Sequence, residues 1–294
     1  PTLAKHFNFL GYATGFIGKN HAVEAEGWVM LDEHDDVTDP SIQARLRENH
    51  QLTVDAIEAV GFDHADRIYH TNPAVVGPKE VSVHNMEWIT EGALEFIDRN
   101  ANRPFFLYYA TTTPHGPPNG WEMNPKATPV GILDEAPDIG IDRSTIQQRL
   151  KRAGVSMDRA DLLWQDDCIG ALLEKLEREG ILDQTLIVFV NDHGVESGKT
   201  TIYNGGMHTV GLIWGPRFFE KTGRTDALVS IMDLAPTVVS YAGGNLGRLP
   251  LDGYDLRPLL EGRAQTVRQS VYGEIGHARA VIKNAPILVF DEAT

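Results

Sequence analysis

Pro104-Phe105-Phe106-Leu107-Tyr108-Tyr109-Ala110, followed by the loop Thr111-Thr-Thr-Pro-His115-Gly-Pro-Pro118, decides how this chain folds. The run is unbroken in its hydrophobicity and too short for a stable helix, so it predicts a strand covered on both faces. Just before it, Ile89, Ala93, Phe96 and Ile97 recur at helical spacing and predict an amphipathic helix. Downstream, a helix is predicted over about 159–179, with Leu162, Ile169, Leu172, Leu173 and Leu176 on one side and Gly180 ending it. It leads into a second apolar strand, Leu186-Ile-Val-Phe-Val190, and a third, Val210-Gly-Leu-Ile-Trp214. Upstream, Leu3, Phe7 and Leu10 give a short helix stopped by Gly11, a strand covers about 12–17, and a helix runs over about 41–60 before a loop of turn formers. Asp233-Leu-Ala-Pro-Thr237 opens another helix that Gly243-Gly244 stops. After Gly244 the pattern changes to short β-like pieces at about 270–274, 279–283 and 287–290, with Asn284-Ala-Pro286 as a turn. Alternating helices and buried strands predict an α/β fold with a largely parallel central sheet and helices on both faces. The expected division is a domain over 1–244 and a small antiparallel β subdomain over 245–294.

Composition narrows the function. The chain has 294 residues, a globular 42% of them hydrophobic, and its net charge of −15 disfavours nucleic acid and anionic membranes as partners. No stretch approaches the roughly 18 apolar residues that cross a bilayer, so no membrane insertion is expected. Positive charge for an anionic substrate has to be concentrated locally. Cys168 is the single cysteine, which excludes an internal disulfide, and beside Ile169 on its helix it reads as a small buried side chain. The first residues look like the middle of a helix, and further sequence is expected before Pro1.

Three strands are each followed at once by ionisable residues: Lys19 and His21, then His115, then Asp192 and His193. Open α/β sheets bind ligands outside the carboxyl ends of their strands, so three parallel strands would bring these groups to one edge. Each alone has an ordinary reading, as a surface lysine or a turn aspartate. His6, His34, His50, His64, His70, His84 and His277 are read as solvated loop histidines. As a set they are more specific. Asp192 and His193 offer oxygen and nitrogen to a divalent cation, Lys19 and Lys199 supply fixed positive charge, and His21 and His115 can move protons near neutral pH. Cleavage of a sulfate or phosphate ester needs these parts.

At the same residues the chain resembles the sulfatases, a branch of the alkaline phosphatase superfamily. Gly11-Tyr-Ala-Thr-Gly-Phe-Ile-Gly-Lys-Asn-His21 is similar to their Gly-Tyr-x-Thr-x-x-x-Gly-Lys-x-His segment, and the 104–110 strand with Pro114-His115 to their strand and Pro-His loop. Val188-Phe-Val-Asn-Asp-His-Gly194 resembles the metal-binding strand end, and Lys199-Thr-Thr-Ile-Tyr-Asn-Gly-Gly206 the Lys-x-x-x-Tyr-x-Gly-Gly segment. Asp233-Leu-Ala-Pro-Thr237 and Leu251-Asp-Gly-Tyr-Asp-Leu-Arg-Pro-Leu-Leu260 match later landmarks, all in family order.

The resemblance implies an alkaline-phosphatase-like fold and a metal-dependent hydrolase of sulfate monoesters, with a small-molecule or oligosaccharide sulfate as substrate. It assigns Lys19 and Lys199 to the sulfate oxygens, His21 to the nucleophile and sulfate release, His115 to the leaving oxygen, and Asp192 and His193 to the metal. Ca²⁺ is the expected ion. Asn is commoner in the family where His193 stands; Asp-His-Gly occurs among phosphonate monoester hydrolases and makes Mn²⁺ a candidate. His208 stands where many relatives carry Arg and is a candidate substrate contact as well as a structural residue. The family nucleophile, a formylglycine made within Cys/Ser-x-Pro/Ala-x-Arg, has no motif in residues 1–294, and the paired aspartates of the first strand are missing too. Two further readings stay open: a phosphonate monoester or phosphodiester hydrolase, and a non-catalytic sulfatase-like protein. The resemblance favours a periplasmic or secreted location and leaves the oligomeric state open.

Overall fold

In the computed structural model, which describes residues 2–194, 198–220, 222–248, 250–283 and 288–290, the chain enters α1 (Leu3–Phe9) at a proper cap. The Thr2 hydroxyl accepts the Lys5 amide proton at 3.3 Å, so the first helix has the N-terminus that the sequence reading denied it. Gly11, at φ +84°, turns the backbone into β1 (Ala13–Lys19). Then come α2 (Pro40–Ala59), with Asp39 as cap and Pro40 in its first turn, β2 (His64–Tyr69), α3 (Met86–Asn100) and β3 (Phe105–Ala110).

The three strands form one parallel sheet in the order β2-β1-β3, with Gly15 opposite His64 on one side and Leu107 on the other. Alternation along β1 sends neighbours to opposite faces. Phe16 joins Val54 and Ile57 of α2 and Ala65 and Ile68 of β2 in one buried cluster, and Phe7 of α1 stacks on Phe106 of β3 at 4.4 Å. On the other face Gly15 leaves room for α3, since a Cβ there would stand 2.5 Å from the Phe96 ring. Helices therefore cover both faces, as the alternating pattern predicts.

β2 escapes the sequence reading. Its residues, His64-Ala-Asp-Arg-Ile-Tyr69, carry charge where the strand meets α3: Arg67 pairs with Glu91 and Glu95 of that helix at 3.0 Å each. A short hairpin, β4 (Ala127–Thr128) and β5 (Gly131–Ile132), precedes α4 (Ile146–Ala153) and α5 (Ala160–Arg178). The buried stripe of α5 is Trp164, Cys168, Ala171, Leu172 and Leu176, whereas Leu162 and Leu173 are each 37% exposed. The stripe is rotated from the leucine pattern because the Trp164 indole donates to the buried Glu87 carboxylate of α3 at 2.8 Å, and Glu87 also holds Arg143 bidentately.

Residue contacts divide the chain into two units, Pro1–Gly180 and Ile181–Thr294. The second holds β6 (Ile187–Val190), α6 (Asn204–Met207), β7 (Gly211–Trp214), α7 (Leu234–Tyr241), α8 (Arg257–Leu260), β8 (Ser270–Ile275), β9 (Ala278–Lys283) and β10 (Leu288–Phe290). β6 pairs antiparallel with β7, Val190 opposite Gly211. The turn back through α6 is what makes this ladder possible. The last three strands form an antiparallel sheet in the order β10-β9-β8, as the sequence pattern anticipates. The expected turn at 284–286 lies outside the described residues. Within this unit the two later landmarks are zipped together. The fully buried Asp233 carboxylate accepts the Tyr254 amide at 2.8 Å and pairs with Arg268, and Thr237 accepts the Leu256 amide at 2.8 Å. Those motif residues are structural. Breaking such a buried pair from one side leaves an uncompensated charge, a cost of about 3–5 kcal/mol.

Candidate active site

Lys19 is the last residue of β1, and the register sets Gly18 opposite Ala110, the last residue of β3. The loops carrying His21 and His115 therefore leave the same edge of one parallel sheet. Gly18 makes this close approach possible. At φ +104° it adopts a backbone that side chains rarely tolerate, and a Cβ there would collide with the Ala110 carbonyl. Lys19 is half-buried, and His21 and His115 are exposed. The His115 Nδ1 lies 3.2 Å from the Gly116 carbonyl, which can only accept. Nδ1 therefore carries the hydrogen, and Nε2 is left to hold or release the mobile proton.

The His115 loop is anchored from below. The Gln165 amide of α5 donates to Thr111 at 3.1 Å, and Asp161 accepts the Asn119 and Trp121 amides at 2.9 and 3.2 Å. Several histidines read as solvated are not. His84 is 1% exposed, and the His50 ring accepts the Ile68 amide at 3.2 Å with burial pushing its pKa below the ordinary value. His70, directly after β2, stacks on Trp28 at 4.4 Å and meets Thr53 at 3.2 Å. It stands at the same sheet edge as Lys19 and feels the charge of His21. Sequence reasoning missed its position because β2 went unread; the one available signal was the turn sequence Thr71-Asn-Pro immediately after it.

Cys168 is what its neighbours suggested. It is fully buried, and burial pushes its thiol up to about 12, which leaves no thiolate near neutral pH.

The second unit gathers the other predicted residues at one end of the β6–β7 ribbon. Asp192 and His193 follow β6, and His208 precedes β7. The Gly194 amide donates to the Gly206 carbonyl at 2.9 Å, and Thr209 donates to the His193 carbonyl at 3.1 Å. Lys199 and His208 are both exposed on the loop between the strands. His193 Nδ1 lies 2.9 Å from the Gly194 carbonyl and must be its protonated nitrogen. Its Nε2 faces the Asp192 carboxylate at 3.5 Å, close enough for a proton or a cation to stand between them. Neighbouring ligands of a Ca²⁺ ion at about 2.4 Å would stand about 3.4 Å apart, so the pair fits as one side of a metal shell. Among the described residues no set of three His, Cys, Asp or Glu side chains converges as a metal site.

A parallel sheet with basic and imidazole groups at its carboxyl edge has solved counterparts. A solved member of the alkaline phosphatase superfamily from Vibrio parahaemolyticus matches with a TM-score of 0.56 at 18% identity, over 98% of this chain and 57% of that one. The family model described as Sulfatase matches residues 1–244, and the chain belongs to the sulfatase family. Human arylsulfatase A is 30% identical over 185 residues, 58% of this chain and 31% of that protein. Human N-acetylglucosamine-6-sulfatase is 27% identical over 200 residues, 60% of this chain and 36% of that protein. The chain thus spans about a third of the length of these curated relatives. No helix among the described residues is long and apolar enough to cross a membrane.

Proposed function

We propose that the chain is the leaving-group and sulfate-binding part of a hydrolase of sulfate monoesters, acting on a sulfated carbohydrate. The observation that carries this reading is the in-register pairing of β1 with β3, which starts the Lys19-His21 and His115 loops side by side within a family match over 1–244. Lys19 and Lys199 would hold sulfate oxygens as fixed cations, strongest where water is excluded. His115 would bind with Nδ1–H turned to Gly116 and give its Nε2 proton to the ester oxygen as the S–O bond breaks, so that a neutral alcohol leaves. His21 would serve the nucleophile side, and His208 is assigned to substrate. A divalent cation held by Asp192 and His193, Ca²⁺ by preference and Mn²⁺ as alternative, would supply charge neutralisation at the sulfate when bound. We assign the sulfatase domain to 1–244 and the β subdomain to 245–294. Carbohydrate is favoured because one of the relatives, matched over 60% of this chain, is an N-acetylglucosamine-6-sulfatase. A periplasmic or secreted location goes with the same reading.

No Cys/Ser-x-Pro/Ala-x-Arg stands in residues 1–294, so we assign the nucleophile to chain outside them. The intact mass of the natural protein should then exceed 32.5 kDa clearly; a mass of 32.5 kDa would favour a non-catalytic binding role. With the natural-length protein, p-nitrophenyl sulfate should be hydrolysed faster than p-nitrophenyl phenylphosphonate. The reverse order would replace sulfate by phosphonate, the reading that His193 favours. Replacing His115 with Ala should lower kcat about 10²–10⁴-fold for a poor leaving group.

A further inference from the structure

His84 is a buried imidazole that the reaction above does not use, and it lies directly beneath the loop that carries His115. Its Nδ1 is 2.8 Å from the Thr112 hydroxyl, the backbone carbonyls of His115 and Pro117 lie beside the ring, and Nε2 is sealed from water without a closed hydrogen bond. Burial pushes its pKa below the ordinary histidine value, so one ring nitrogen carries the hydrogen and the other does not. The neighbours decide which. Carbonyls only accept, so a bare Nε2 would set a lone pair against two oxygens, whereas Nε2–H would be attracted to them. Nδ1 is then the acceptor of the Thr112 hydroxyl proton. Gly120 closes the space behind: a Cβ there would stand 2.9 Å from the His84 Cβ, so the ring has little freedom to turn.

We propose that His84 is the positioning residue of the leaving-group acid: it holds the loop at Thr112, with the His115 and Pro117 carbonyls beside its ring, and so sets where the His115 imidazole stands. The inference rests on the role given to His115 above. His84 touches no substrate. It acts through His115 alone, so its loss should matter in proportion to how much the leaving group needs a proton.

The test compares p-nitrophenyl sulfate, whose leaving group departs readily as an anion, with phenyl sulfate, whose phenol has a pKa of about 10. His84→Gln and Thr112→Val are made in the natural-length protein, with His115→Ala as reference. Each clamp variant is expected to lose about tenfold more kcat on phenyl sulfate than on p-nitrophenyl sulfate, with KM unchanged. Gln keeps an N–H near the Nε2 position and should lose less than His84→Ala. Equal losses on the two esters in both clamp variants, with His115→Ala still selective, would overturn the clamp and leave the role of His115 standing. A His115→Ala variant that shows no selectivity would overturn that role and the clamp with it. Should His84→Gln fail to fold, Thr112→Val, which removes one hydroxyl and little volume, decides alone.

Discussion

Replacing Gly18 with Ala puts one methyl group where β1 and β3 come closest to the candidate site. The new Cβ would collide with the Ala110 carbonyl oxygen, stand 2.9 Å from the carbonyl carbon and 3.1 Å from the Ile89 side chain, and be carried on a backbone at φ +104°. The neighbours are backbone on one side and a packed helix on the other, so neither can swing away. Restoring ordinary contact requires a shift of roughly 1 Å between the strands. Overpacking of this kind costs about 1–3 kcal/mol, and a side chain in the left-handed region about 1–2 more. A total of about 3 kcal/mol in the unit over residues 1–180 should lower Tm by about 6–12 °C. The same shift moves Lys19 relative to His115, and a displacement of about 1 Å in a catalytic set can cost about 10²-fold in rate. Thermal unfolding and p-nitrophenyl sulfate turnover, measured on the same preparation, check both halves. A Tm within about 2 °C of the parent and a kcat/KM within about threefold would refute the reasoning, because the strands would then have absorbed the methyl group without moving.

Two further outcomes are expected. Glu87→Ala should cost about 3–5 kcal/mol, because it leaves the buried Trp164 indole without its acceptor and the Arg143 guanidinium without its carboxylate, and Glu87→Gln should cost less by keeping an oxygen for both; chemical unfolding of the pair of variants measures the difference. Stability should fall with acid below about pH 6.5, the histidine value in the unfolded chain, because burial holds the folded pKa of His50 beneath it and the unfolded state then binds the extra proton. The contribution is fully present above that pH and lost as pH falls toward the folded value, so His50→Gln, which cannot titrate, should give a flatter pH dependence of Tm.

Much of this was legible in the amino-acid sequence, and the failures share causes. The 104–110 run shows because it is apolar throughout, although β3 ends its sheet, is only partly covered and leaves Tyr108 50% exposed, and the three C-terminal pieces show because short β-like runs with turns between them leave a pattern. β2 left none, since Arg67 trades apolar contact for ion pairs with α3. The face of α5 was misplaced because leucines were counted and Trp164 was not, although the tryptophan is the residue that meets Glu87. A loop histidine such as His84 looks like any other until the fold lays a second loop over it. Antiparallel β6–β7 pairing could not be told from a buried parallel strand, as both read as four or five apolar residues. The candidate residues were found by their place after strands and by family spacing. Their hydrogen bonds, which assign protons to His115 and His193, required coordinates.

The edge where β1 and β3 end is where the proposed reaction takes place, and a crystal structure of the natural-length protein with inorganic sulfate tests that most directly. One sulfate is expected with the Lys19 ammonium nitrogen at about 3 Å from its oxygens and His115 Nε2 turned toward it. Sulfate bound away from Lys19 and His115, or no sulfate at the edge of β1 and β3, would contradict it.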